Sequence, residues 1–169
     1  VSPWTAFLES LHSAWVDELN ERLPGIKPEL GMPIRQKVPA FPSAEVASTV
    51  ICEVGFVREE ASAAVVTGGS GESRGFAMLA LDVDARKKLG LEPRAAWDAL
   101  MRRAGGEFGF RKISPRIGTP QEAKTGAASG GASGGASILA LPAGFVTPGR
   151  VIWIPFRLHP GVSYLGVGA

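Results

Sequence analysis

The sequence predicts an α+β domain, a mainly antiparallel sheet with an N-terminal amphipathic helix and a second helix packed on it. Three observations carry this. Trp4, Phe7, Leu8, Leu11, Trp15 and Leu19 recur at the spacing of one helical face, the stripe a surface helix turns toward a core. Val50, Cys52, Val54 and Phe56 alternate with other residues, as do Ile152, Ile154, Phe156 and Leu158, which is the period of a half-buried strand. The 169 residues, 45% hydrophobic and 20% charged, suit a single core.

The elements follow in order. Ser2-Pro3 opens the first helix with a capping hydroxyl and a proline whose missing N–H costs nothing at that position, and Leu23-Pro24-Gly25 stops it. Prolines 28, 33, 39 and 42 then predict a loop-rich crossing with at most a short edge strand near Ile34 to Val38. Strands are expected over Thr49 to Val57, Ala61 to Thr67 and Phe76 to Asp82, a possible meander with Gly68-Gly69-Ser70-Gly71 as its turn. Asp84 is placed as the cap of a short helical turn through Leu89. Glu92-Pro93 starts the second main helix, with Trp97, Leu100, Met101 and Ala104 as its stripe and Gly105-Gly106 as its end. Phe108 to Ile117 reads as another strand, and Ile138 to Leu141, Arg150 to Leu158 and Ser163 to Val167 as the last three. Pro155 marks the second of these as an edge or a bulge. Between them Gly126 to Ser137 holds only Gly, Ala and Ser, a composition that predicts a flexible insert within one domain spanning residues 1–169.

Charge narrows the partners. Lys and Arg exceed Asp and Glu by 18 to 16, which disfavours nucleic acid and an anionic membrane as partners of the whole surface. The single Cys52 excludes an internal disulfide and a cysteine zinc cage, no apolar run has the length of a membrane span, and the N-terminal segment reads as a helix rather than a secretion signal. A cytoplasmic protein with no cofactor and no metal is the expectation.

Few residues suggest chemistry. Gly69 to Gly75 is glycine-rich but lacks the Lys-Ser/Thr ending of a phosphate loop and leads into a strand, so it reads as a turn. His12 and His159 have no partner at metal-ligand spacing. Asp17 and Asn20, three residues apart on the first helix, share a face on which a carboxylate and an amide can together orient a water. The competing reading is a solvated polar face on which Glu18 pairs with Arg22. Arg102, Arg103, Arg111, Lys112 and Arg116 concentrate positive charge, with Glu107 the one acid among them, and are candidate partner-binding residues for an acidic protein surface.

The segment Ile138-Leu-Ala-Leu-Pro142, the strand Val151-Ile-Trp-Ile-Pro-Phe156, the ending Leu165-Gly-Val167 and the helix start Asp98-Ala-Leu100 together resemble the bacterial chemotaxis phosphatases and their flagellar-switch relatives over residues 46–167. The resemblance implies that a helix beginning Asp-Ala-Leu carries an acid and an Asn that hydrolyse the aspartyl phosphate of a response regulator. Here the matching positions are Arg102 and Gly105. It follows that this helix lacks the water-orienting pair, and only Asp17 and Asn20 can replace it. The first expectation is therefore a non-enzymatic interaction or adaptor domain in a signalling or motility assembly. Alternatives are an aspartyl-phosphate phosphatase using Asp17 and Asn20, and a structural subunit that self-associates over the apolar strand Val151 to Leu158.

Overall fold

The Ser2 hydroxyl accepts the Trp4 N–H at 3.2 Å, and helix α1 runs from there over Pro3–Arg22. The chain is described by a computed structural model over residues 2–57, 72–124, 139, 141, 144 and 149–169. Strands β1 (Glu29–Leu30), β2 (Ile34–Gln36), β3 (Val46–Val57) and β4 (Glu72–Asp82) follow, then helices α2 (Val83–Leu89) and α3 (Pro93–Phe110). Strands β5 (Arg116–Ile117), β6 (Gln121–Lys124), β7 (Val151–Arg157) and β8 (Val162–Gly168) complete the described elements. All described pairings are antiparallel, in the order β1-β7-β8-β4-β3-β5, with β2 also on β7 and β6 also on β3. The expected strand Ala61 to Thr67, the turn Gly68 to Gly71 and the insert Gly126 to Ser137 lie outside the described residues, as do Ile138 and Ala140 of the expected strand Ile138 to Leu141.

Side-chain alternation in the sheet makes two cores. On one face Val50, Cys52, Val54, Phe56, Ala77, Leu79, Leu81, Phe156, Leu158 and Leu165 meet the buried stripes of α1 and α3. These include the α1 residues Phe7, Leu11, Trp15 and Leu19 and the α3 residues Trp97, Leu100 and Ala104. On the other face Ile51, Phe76, Met78, Trp153 and Tyr164 pack under Phe41 and Leu139. Buried indoles keep hydrogen-bond partners, as burial requires. Trp15 Nε1 donates to Ser163 Oγ at 2.9 Å, and Trp153 Nε1 to Gln36 Oε1 and Ala40 O, each at 3.1 Å. Gly75 is required where α1 crosses the sheet, because an added Cβ would stand 2.2 Å from Gly168 O and 2.8 Å from the Trp4 ring.

Three local expectations are corrected. The stretch Phe108 to Ile117 is not a strand: α3 continues through Gly105-Gly106 to Phe110, and only Arg116–Ile117 pairs, with β3. Continuing the helix buries Phe108, whose ring stacks on Phe7 at 5.5 Å, and this burial offsets the roughly 1 kcal/mol helix penalty of each glycine. The cap of α2 is Asp82 rather than Asp84; its Oδ1 accepts the Ala85 N–H at 2.8 Å. Strand β7 is neither an edge nor exposed, being flanked by β8 on one side and by β1 and β2 on the other, with Val151, Trp153 and Phe156 buried. Pro155 is tolerated there because its carbonyl accepts the Gly31 N–H at 2.9 Å, so its donorless nitrogen points at the break between β1 and β2. The short edge strand expected near Ile34 is present as β2, and β1 adds a second.

Candidate functional site

Three contacts fix how the outer helices meet: Phe7 against Phe108, Ser13 Oγ donating to Glu107 Oε1 at 3.4 Å, and Glu18 with Arg103 at 3.1 Å. As numbering rises along α1 it falls along α3, so the two run antiparallel. Their stripes face the sheet and their polar residues divide between the helix seam and solvent.

The seam consumes most of the charge nearby. Glu18, almost fully buried, accepts from Arg22 one turn on and from Arg103 across the seam, and Arg103 also pairs with Glu21. Burial alone would raise the Glu18 carboxyl pKa, but the hydrogen bonds and charges of Arg22 and Arg103 outweigh it and hold the group below its ordinary value of 4.5. A depressed folded value means that the carboxylate contributes stability above about pH 4.5 and loses it as pH falls through the folded value. Glu18→Gln is therefore expected to be less stable than the parent at pH 7 and to converge on it as urea midpoints are measured down to pH 3. A gap that stays constant over this range would show that the ion pair contributes nothing.

Asp17 and Asn20 lie on the outer side of α1, both exposed. Among the described residues neither forms an ion pair or a side-chain hydrogen bond. Asp17 lines a groove of about 560 Å³ with Leu8, Glu9, His12, Ser13, Val16, Arg111 and Ile154. Glu9, Ser13 and Asp17 are one turn apart along this wall, and Asn20 continues the same stripe. His12 is half-buried with its ring 5.3 Å from that of Phe156. His159 is elsewhere, its Nε2 2.8 Å from Glu29 Oε2.

The five candidate cations are distributed over several surfaces. Arg102 is exposed on the outer face of α3, Arg103 is held in the seam, and Arg111 enters the groove while its Nη2 stands 3.9 Å from Glu107. Lys112 is exposed just past the helix, with a left-handed φ of 57°, and Arg116 belongs to β5. No cluster of metal-ligating side chains occurs among the described residues. Cys52 is no nucleophile: burial pushes its thiol pKa up to about 12, and the S–H donates to Gly118 O at 3.0 Å. The groove position of Arg111 escapes sequence reading because it depends on α3 continuing to Phe110; Glu9 and Ser13 are recoverable from helical spacing to Asp17.

No protein-family profile and no curated protein sequence matches the chain. Solved structures do match in fold. A putative chemotaxis protein from Desulfovibrio vulgaris Hildenborough superposes with a TM-score of 0.57 at 11% identity, over 95% of this chain and 94% of its own. Chemotaxis protein CheX from Vibrio vulnificus gives 0.55 at 11% identity over 96% and 97%. A CheC-like superfamily protein from Shewanella sp. PV-4 gives 0.53 at 10% identity, over 96% of each chain. At such identities the likeness is one of fold, and the fold is that of the CheX- and CheC-like chemotaxis proteins. Among the described residues no helix is long and apolar enough to cross a membrane.

Proposed function

We propose that this chain is a chemotaxis-type signalling protein that docks a phosphorylated response regulator on the exposed side of α1 and hydrolyses its aspartyl phosphate with Asp17 and Asn20. One observation carries the reading. Of the acids on this stretch of helix, Glu18 and Glu21 are engaged by arginines, whereas Asp17 stands exposed at a groove with Asn20 one turn further on. Hydrolysis of an acyl phosphate asks the protein for little covalent chemistry; positioning of a water in line with the scissile P–O bond is the main requirement. The Asn20 amide oxygen accepts one water proton in a hydrogen bond, and the Asp17 carboxylate takes the other as the water oxygen bonds to phosphorus. The carboxylate of the regulator leaves with the electrons of the broken P–O bond.

A second reading has its own support. Arg102 and Gly105 occupy the α3 positions where the resemblance expects the acid and the amide, which suits an adaptor that binds the regulator without hydrolysing it. The two readings separate in one assay. Phosphate release from a phosphorylated receiver domain is expected to be accelerated by the parent protein, and Asp17→Ala or Asn20→Ala to lower that acceleration by about 10²-fold or more. A parent protein that co-elutes with the receiver and leaves its phosphate lifetime unchanged is an adaptor.

A further inference from the structure

Among the described residues Arg111 is the one arginine or lysine lining the groove beside Asp17, and its side chain is incompletely satisfied. Among the described residues its Nε is buried with no acceptor, and its only ion pair, to Glu107, is long at 3.9 Å. Glu107 is itself shared, accepting the Ser13 hydroxyl at 3.4 Å. The buried Nε is closed to an acceptor from outside the chain, but the side chain is 28% exposed, and its Nη donors, with Glu107 only at 3.9 Å, are left to offer an incoming oxygen. A guanidinium presents its donors in a planar fork that fits two oxygens of one phosphoryl group.

We infer that Arg111 is the phosphoryl-binding residue of this groove, donating N–H bonds to the oxygens of the acyl phosphate while Asp17 and Asn20 hold the attacking water; the inference rests on the phosphatase reading above. The P–O bond to the acyl carboxylate breaks and the bond from the water oxygen to phosphorus forms. The water proton passes to Asp17, and phosphate and carboxylate are released. Arg111 remains charged throughout and stabilises the negative charge spread over the phosphoryl oxygens. The groove also carries Glu9 and Asp17 against this single guanidinium, with His12 between them along α1. Two carboxylates facing one cation repel a free dianion, so the groove favours a phosphoryl group delivered on a docked protein over phosphate from solution.

Receiver-phosphate hydrolysis by the parent, Arg111→Ala, Arg111→Lys, Glu107→Gln and Asp17→Ala tests this. Arg111→Ala is expected to lower kcat by about 10²-fold with a smaller change in KM, the size seen when one transition-state donor is removed. Arg111→Lys should fall between Arg111→Ala and the parent, because it keeps the charge and loses the fork. Glu107→Gln, which removes the charge of the ion-pair partner and keeps an amide oxygen to accept the Ser13 hydroxyl, should hydrolyse like the parent; a loss equal to that of Arg111→Ala would assign Arg111 a structural role and overturn the inference. Activity in Arg111→Ala within about threefold of the parent, with Asp17→Ala inactive, overturns the inference and leaves the phosphatase reading standing. If the parent itself is inactive, that reading fails, and a titration with the phosphorylated and the unphosphorylated receiver domain decides the anion site separately. A shift of the Arg111 guanidinium resonances with the phosphorylated receiver that the unphosphorylated receiver does not produce sustains the site, and no such difference refutes it.

Discussion

Trp15→Ala is expected to destabilise the protein by about 3–5 kcal/mol, the cost of removing a large aromatic side chain from a close-packed interior. Trp15 is completely buried, and its indole joins α1 to strand β8 through the 2.9 Å hydrogen bond to Ser163 Oγ. Two losses therefore combine, a cavity between helix and sheet and a buried serine hydroxyl left without its donor. Trp15→Phe separates them, because it keeps most of the ring and removes the N–H; it should cost about 1–3 kcal/mol. Ser163→Ala should cost a similar amount, and the double variant less than the sum of the two, since one bond cannot be lost twice. Urea unfolding of the four proteins provides the cycle. A loss below about 1 kcal/mol for Trp15→Ala would mean that α1 is not held on the sheet at this point. Asp17 and Asn20 lie within two turns of this anchor, so a variant that loosens it should also lose whatever activity those residues support.

Legibility in the sequence followed the range of the interactions. Helix α1 was readable almost residue by residue, because its cap, its proline and its buried stripe are local and agree with one another. The β3 and β7 faces were readable for the same reason, since alternation decides which residues reach the helices. The end of α3 was not. Gly105-Gly106 is a stop signal in isolation, and what overrides it is the stacking of Phe108 on Phe7, a contact between residues far apart in the chain. Asp82 was hidden by its place at the end of a strand, while Asp84, which lies inside the helix, offered the same chemistry two residues later. Pro155 misled only as to an edge: the irregularity it marks is the break between β1 and β2, where no donor is needed from it. At the candidate site the spacing of Asp17 and Asn20 was visible. The antiparallel seam that removes Arg103 into an ion pair and brings Arg111 into the groove that Asp17 also lines was not, because it is set by the packing of one helix on the other.

Asp82→Ala is the second large effect, expected at about 2–4 kcal/mol from a lost helix cap together with an unsatisfied buried N–H. The side chain is only 4% exposed, and its two oxygens serve different elements. Oδ1 accepts the Ala85 N–H at the start of α2, and Oδ2 accepts the Val162 N–H at 2.9 Å, where β8 begins. Asp82 thus ties the end of β4 to both the helix that follows it and the strand beside it. Asn at a simple cap performs nearly as well as Asp, which makes Asp82→Asn the informative variant. Its amide has one oxygen; with that oxygen on Ala85, the NH₂ group faces the Val162 N–H, donor against donor. Asp82→Asn is therefore expected to lose most of what Asp82→Ala loses, and amide exchange at Val162 should quicken in both variants. If Asp82→Asn instead unfolds at the same urea concentration as the parent, the carboxylate acts only as a cap and the β8 N–H draws no stability from it.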